Sequence, residues 1–254
     1  MGEKKQYQIL RWGIGIWVVT LYFFNSSISF AGPPFFTDDP EPVDYKHWEV
    51  YLAGVYSHER HGKSGAAPIV EVNYGPWPDF HLHFIAPGIF SKEDGGSAAY
   101  GYGDTELGLK YRPIHESDSC PQIGTFPIVE LPTGDQDRGF GNGKAQVFFP
   151  LWLQKSWGPW TSYGGGGYWY NPGKGNKNWV FTGWELQRDM SEHLTLGGEI
   201  FFRTADEVDA ENSVGFNLGG IYNFDDGHHL LFSVGRDIRG PDIFTGYVGF
   251  QRTF

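Results

Sequence analysis

The residues best suited to chemistry in this chain of 254 residues are carboxylates and imidazoles that recur at every second position of short segments. His81-Leu82-His83 puts two imidazoles on one side of an extended stretch, a spacing that a metal ion can use. A tetrahedral site needs further ligands, and none stands at a fitting interval, so the expectation is no metal and a hydrogen-bonded pair instead. His115-Glu116-Ser117 sets a base two residues from a hydroxyl, the raw material of a hydrolytic dyad. Gly139-Phe140-Gly141-Asn142-Gly143-Lys144 has the glycines of a phosphate loop, but Ala145 replaces the needed Ser or Thr and no helical period follows. Asp206–Glu211 is acidic yet lacks the glycine and closing glutamate of a calcium loop. Cys120 is the one cysteine, so no disulfide framework exists within the chain. These signals lead to an expectation of no enzyme, no catalytic residue and no cofactor.

A broader constellation is more informative. Glu49, Glu71, Asp104, Glu106, Glu130, Glu185 and Glu199 all fall on the parity opposite to Trp48, Val50, Leu107, Leu109, Val147, Phe149, Leu151, Leu194, Leu196, Ile200 and Phe202. Lys110, Arg112 and Arg203 share the carboxylate parity, and His81 and His83 are placed with them. So are the rings of Tyr51, Phe126, Phe148, Trp152, Tyr163, Trp169 and Phe201. Successive side chains of a strand point to opposite faces, so one face is apolar and the other carries charge and aromatic bulk. The charged set is the candidate lumen lining, and it selects by charge or merely fills space with ion pairs.

The elements that must position this set are strands. Alternation recurs over His47–Tyr56, Ile69–Gly75, Phe80–Phe90, Asp104–Pro113, Gln122–Thr133, Lys144–Trp157, Trp160–Asn171, Asn178–Gln187, Leu194–Thr204, Val214–Phe224, His229–Asp237 and Phe244–Phe254, which is about twelve strands. Connections after odd strands are long (Ser57–Pro68, Ser91–Gly103, Gly134–Gly143, Asn171–Lys177, Ala205–Ser213, Ile238–Ile243). Those after even strands are mostly tight, with Ile114–Pro121 the exception. Such asymmetry, an even count and an apolar outer face predict an all-β fold, a transmembrane antiparallel up-and-down β-barrel. The chain ends on Phe254 in mid-strand, and closure of the sheet would remove the open edge. That terminal aromatic is also the expected handle for barrel-assembly machinery.

Composition agrees. Aromatic residues make up 18 % of the chain and glycine contributes 37 residues, while mean hydropathy is −0.38. That hydropathy excludes a polytopic helical membrane protein but not a barrel, whose strands show lipid only at alternate residues. A net charge of −11 argues against a nucleic-acid partner. Residues 1–31 read as an export signal: Lys4, Lys5 and Arg11 precede an apolar stretch, Trp12–Phe24, and Ser29-Phe30-Ala31 supplies small residues for cleavage. Residues 32–46 are Pro- and Asp-rich without a period and are expected to form an irregular arm before a barrel over 47–254. The expected location is the bacterial outer membrane, with its lipid and a small solute as partners.

Several stretches resemble one family. GPPFFTDDPEP (Gly32–Pro42), GYGDTELGLKYR (Gly101–Arg112), PIVELPTGD (Pro127–Asp135), FFPLWLQKSWGPW (Phe148–Trp160) and GFNLGGIYNFDD (Gly215–Asp226) are similar to outer-membrane transporters named after the meta-cleavage pathway of phenol degradation. The resemblance spans nearly all of the chain beyond residue 31. It implies an outer-membrane barrel with a transport role and carries no catalytic residue across.

Three functions remain open on the sequence. The leading one is passive passage of a small, hydrophobic or aromatic solute, because so many inward rings would constrict a twelve-stranded interior. An outer-membrane hydrolase of phospholipase or protease type is the second, and a soluble secreted β-barrel binding protein the third. Pro127 and Pro150 add a local expectation. They lie mid-strand in neighbouring segments, each without a ladder N–H, and should bulge or weaken the seam between them.

Overall fold

The computed structural model describes residues 32–254; the expected export signal lies outside the described residues. Fourteen strands follow one another: β1 (Trp48–Glu59), β2 (Gly62–Trp77), β3 (Phe80–Glu93), β4 (Ala99–Tyr102), β5 (Thr105–Ile114), β6 (Gln122–Thr125), β7 (Ile128–Leu131), β8 (Gln146–Trp157), β9 (Trp160–Tyr170), β10 (Trp179–Ser191), β11 (Leu194–Arg203), β12 (Ser213–Asp225), β13 (His228–Arg239) and β14 (Phe244–Thr253). Each pairs antiparallel with its neighbours. β4 and β5 succeed each other along β3, and β6 and β7 along β8, so the fourteen strands build twelve staves.

The last stave returns to the first, with Glu49 opposite Thr253 and His58 opposite Phe244. The backbones of Trp48 and Phe254 exchange hydrogen bonds of 2.8 and 3.0 Å at the end of that ladder. The chain therefore finishes inside the seam, and the sheet has no free edge there.

Alternation decides what faces where. Leu52, Leu107, Phe149, Leu151, Trp184, Ile200 and Leu218 are exposed on the outside, whereas Glu71, Glu106, Trp152, Glu185 and Glu199 are buried. Inward glycines make room for the rings. A Cβ on Gly215 would strike the Phe201 ring, and one on Gly108 would meet Phe126 Cε2 at 2.7 Å. The rings of Phe201 and Phe126 thus lie over glycines of neighbouring staves.

Four expectations change. Ser57–Pro68 is not a loop: β1 runs to Glu59 and β2 begins at Gly62, with His58 opposite Lys63. Likewise β3 continues to Glu93 and β4 occupies part of Ser91–Gly103. Beyond the apolar belt the residues turn polar or small, so the period-two signal fades while the backbone ladder continues. A register shift between Ala66 and Ile69 absorbs Pro68, which has no N–H to give. Asp104 lies outside the strand, in the break between β4 and β5, and the expected single strand Gln122–Thr133 is split at Phe126-Pro127.

Candidate functional site

The arm, residues 32–47, enters the lumen and is held there by side chains from opposite walls. Glu199 on β11 is the principal clamp. Its carboxylate accepts from the backbone N–H groups of Phe36 and Thr37 at 2.8 and 2.7 Å and from Thr37 Oγ1 at 2.6 Å. Asn217 on β12 donates to the same carboxylate and orients it. Across the barrel, Lys110 on β5 reaches Asp38 at 3.0 Å and Asp39 at 3.5 Å. Ser233 on β13 donates to the Pro34 carbonyl at 2.6 Å, and Val43 N–H donates to His81 on β3. Thr37 and Asp38 are 0 % and 1 % exposed, so the middle of the arm is as buried as a core strand, while Glu41 and Asp44–His47 are exposed.

Around the arm the interior divides into two apolar clusters and a polar wall. Tyr51, Val55, Ile69, Ile85, Leu231 and Tyr247 form one cluster. The other is aromatic: Phe148, Trp169 and Trp179 stack at 4.8 and 5.3 Å between centroids, and Trp152, Phe181 and Phe201 continue the line to the arm's Phe36. Trp152 is 0 % exposed. The polar wall runs from stave to stave. Asn73 donates to Glu71, His83 contacts Asn73 at 2.7 Å, Glu106 lies directly opposite Glu130, and Gln146 donates to Glu130 at 2.8 Å. Glu185 lies opposite Glu199, and neither of its oxygens has a hydrogen-bond partner among the described residues.

Most of the candidate lining residues therefore meet in one interior. Glu71, His81, His83, Glu106, Lys110, Glu130, Trp152, Glu185 and Glu199 are buried there, and Glu49, half-buried, accepts from Tyr51 at 2.8 Å. Arg112 sits at the short-turn rim, where it binds Asp79 at 2.9 Å and the arm's Glu41 at 3.3 Å. Arg203 lies toward the other rim and donates to Ser213. Asp104 does different work. It accepts the N–H groups of Gly134 and Asn142 at 2.8 and 2.6 Å and so ties down the β7–β8 loop.

Pro127 and Pro150 mark a real interruption. The β6–β8 and β7–β8 pairings keep one register, Gly124 opposite Trp152 and Ile128 opposite Phe148, but no pairing joins the three positions between them. That register places Pro127 and Pro150 one position apart on opposite faces. Thr125 bridges the gap by donating its hydroxyl to the Pro150 carbonyl at 2.6 Å.

Sequence reasoning missed the arm's insertion and the amide network at the long-loop rim. There Asn142, Asn171 and Asn176 bind one another at 2.7–3.0 Å and join the β7–β8 and β9–β10 loops, and Asn171 also donates to the Asp206 carbonyl of the β11–β12 loop at 3.2 Å. The hints were Thr37-Asp38-Asp39, polar side chains in a segment without a period, and the asparagines of Gly141–Asn178. The other motifs are absorbed structurally. His115 pairs with Asp79 at 3.1 Å, and Ser117 closes a turn with Cys120. Among the described residues no cluster of three or more His, Cys, Asp or Glu is arranged to hold a metal ion.

A closed antiparallel barrel of twelve staves, apolar outside and polar and aromatic within, has the architecture of outer-membrane β-barrels. Among solved structures, the chain is similar to an outer-membrane channel from Pseudomonas putida F1, with a TM-score of 0.74 at 14 % identity, covering 85 % of this chain and 98 % of that one. It is also similar to the NanC porin, with a TM-score of 0.57 at 9 % identity over 80 % of this chain and 98 % of that one. The translocator domain of the autotransporter NalP from Neisseria meningitidis matches with a TM-score of 0.55 at 12 % identity, over 84 % of this chain and 90 % of that one. At such identities the likeness establishes the fold. No protein-family model matches the chain, and no curated protein sequence matches it significantly.

Proposed function

We propose that the chain is an outer-membrane channel that passes small, hydrophobic or aromatic solutes passively, with the arm as its removable plug. The observation that carries this reading is the interior itself: a line of stacked rings beside an acidic wall, closed by a segment held through hydrogen bonds rather than by a covalent link. The channel and porin among the similar structures support it, as does the resemblance to transporters named after phenol degradation. The long-loop rim then faces outward, the short turns face the periplasm, and Phe254 is the recognition element for the assembly machinery. In planar bilayers the protein should show little steady conductance and in liposomes it should speed uptake of single-ring aromatic compounds. A large steady conductance admitting oligosaccharides would overturn the reading.

The broken ladder favours a route for apolar solutes through the wall. Phe126 and Trp152 lie behind it, and Phe149 and Leu151 lie on the outer face. A cross-link between Thr125→Cys and Leu151→Cys, which the register sets opposite one another, would close the gap in a Cys120→Ser background. Oxidation should then slow aromatic uptake and reduction restore it, whereas uptake unaffected by the cross-link excludes the lateral route.

A further inference from the structure

On the outer face, at the long-loop rim, basic side chains line up across neighbouring staves. His58 on β1 lies opposite Lys63 on β2, and Lys63 lies opposite Lys92 on β3. All three are exposed. His58 shares the parity of Leu52 and Tyr56, which look away from the lumen, whereas the intervening Val55 and Ser57 are buried.

Like charges directly opposite one another on adjacent strands weaken a sheet. Among the described residues none of the three side chains forms an ion pair or a side-chain hydrogen bond that would relieve this. Glu59 and Glu93 stand beside the row but on the lumen parity, opposite Gly62, and Glu59 accepts from Ser64 at 3.1 Å. Asp94 lies in the turn beyond β3. Farther along the same row, past Phe244, the contrast is plain: Arg236 is neutralised by Asp242 at 2.7 Å.

Depth decides what the row meets. Trp48 and Tyr56 end the apolar outer face of β1, and the stretch between them is about 26 Å of strand, or about 20 Å of height at the usual tilt. That is most of the apolar band of an outer-membrane barrel, about 25 Å. His58 is the next residue outward on that face. One row below the basic side chains run Tyr56, Gly65, Phe90 and Tyr100, each opposite the next, with the Phe90 ring over Gly65. Such rings mark the boundary between hydrocarbon and headgroups, so the two ammonium groups stand at headgroup level.

We propose that His58, Lys63 and Lys92 dock the headgroup of a membrane lipid that carries more than one phosphate and packs against β1–β3 in the leaflet at the long-loop rim. The row is about 10 Å wide, room for one phosphate between the lysines and another between Lys63 and His58. An ammonium binds phosphate as a point charge with rotatable donors, and a phosphate between Lys63 and Lys92 cancels their repulsion. The site requires the outer-membrane location but no passenger, so it is independent of the transport reading.

The test uses the full chain, folded in zwitterionic detergent and stripped of lipid. Native mass spectrometry then reads its binding of diphosphoryl lipid A, monophosphoryl lipid A, phosphatidylcholine or inorganic phosphate. Diphosphoryl lipid A should bind about fivefold or more tighter than the monophosphoryl form, with the other two weaker still. Replacing both lysines, Lys63→Gln and Lys92→Gln, should weaken diphosphoryl lipid A roughly thirtyfold, from about fivefold for each lysine at an anionic lipid surface. The matched pair Lys174→Gln and Lys177→Gln removes the same charge from the β9–β10 loop and should change the affinity less than about twofold. Equal losses from the two pairs, or phosphatidylcholine or inorganic phosphate binding as tightly as diphosphoryl lipid A, would overturn the site. A second readout is stability: in phosphatidylcholine liposomes Lys63→Gln should resist urea better than wild type, and added diphosphoryl lipid A should close the gap. A Lys63→Gln protein weaker than wild type without lipid A would contradict the repulsion on which the site rests. Binding is read without flux, so lipid bound in the absence of permeation would count against transport alone.

Discussion

Replacing Glu199 with alanine should unseat the arm while leaving the barrel closed. Three of the hydrogen bonds that the carboxylate accepts come from the arm, from Phe36 N, Thr37 N and Thr37 Oγ1, at 2.6–2.8 Å. Thr37 has no solvent contact, so its two donors cannot turn to bulk water once the acceptor is gone. A hydrogen bond to a charged group contributes about 1.5–3 kcal/mol, and the lower end for three donors comes to roughly 4.5 kcal/mol. Allowing for bonds that share one acceptor and do not add fully, the seated-to-unseated ratio should fall by about two to three powers of ten. Lys110, Ser233 and His81 still hold the arm, so the fall is from a tightly seated arm to a partly released one. Protease nicking at residues 32–46 in liposome-reconstituted protein should become fast, and brief openings should appear in planar bilayers. Glu199→Gln, which keeps one acceptor oxygen, should fall between. Full protection of the arm and an unchanged current in a folded Glu199→Ala protein would refute the idea that this clamp holds the plug.

Other outcomes follow from the same geometry. Lys110→Met strands the buried Asp38 without its ion partner and should cost about 3–5 kcal/mol, read as lost resistance in a heat-modifiable gel shift; restoration by Asp38→Asn in the same chain would confirm that the stranded charge is the cause. Asp79, in the β2–β3 turn, feels burial, which raises its carboxyl, but hydrogen bonds from Arg112 and His115 outweigh burial and hold it below the ordinary value of 3.8. A depressed carboxyl stabilises the folded state fully above that ordinary value and loses the effect as pH falls through the lowered one. The stability gap between wild type and Asp79→Asn should therefore be constant from pH 7 to about 5 and close under stronger acid; a gap that widens in acid would contradict this sign. Ile200→Arg puts a charge on the lipid-facing side of β11 and should cost about 2–4 kcal/mol in urea titrations of folding into liposomes. No effect there would argue that the outer face does not meet lipid.

The strand content and the division of faces were legible in the residues alone. A period of two is a local property: Leu107, Leu109, Glu106 and Lys110 sort themselves by parity whatever they later touch. Twelve staves, the tight turns and the gap in the ladder near Pro127 and Pro150 followed from the same local rules, since a missing N–H breaks a ladder wherever it falls. Strand ends at the tall rim did not, because Gly62–Ala66 and Ser91–Glu93 pair through backbone groups that every residue carries. The arm's place inside the barrel was beyond the sequence altogether. Phe36 and Thr37 lie more than 160 positions from Glu199, and only a closed wall brings a β11 carboxylate, a β5 ammonium and a β3 imidazole around one aperiodic segment. Parity says which way a side chain points; closure decides what it meets.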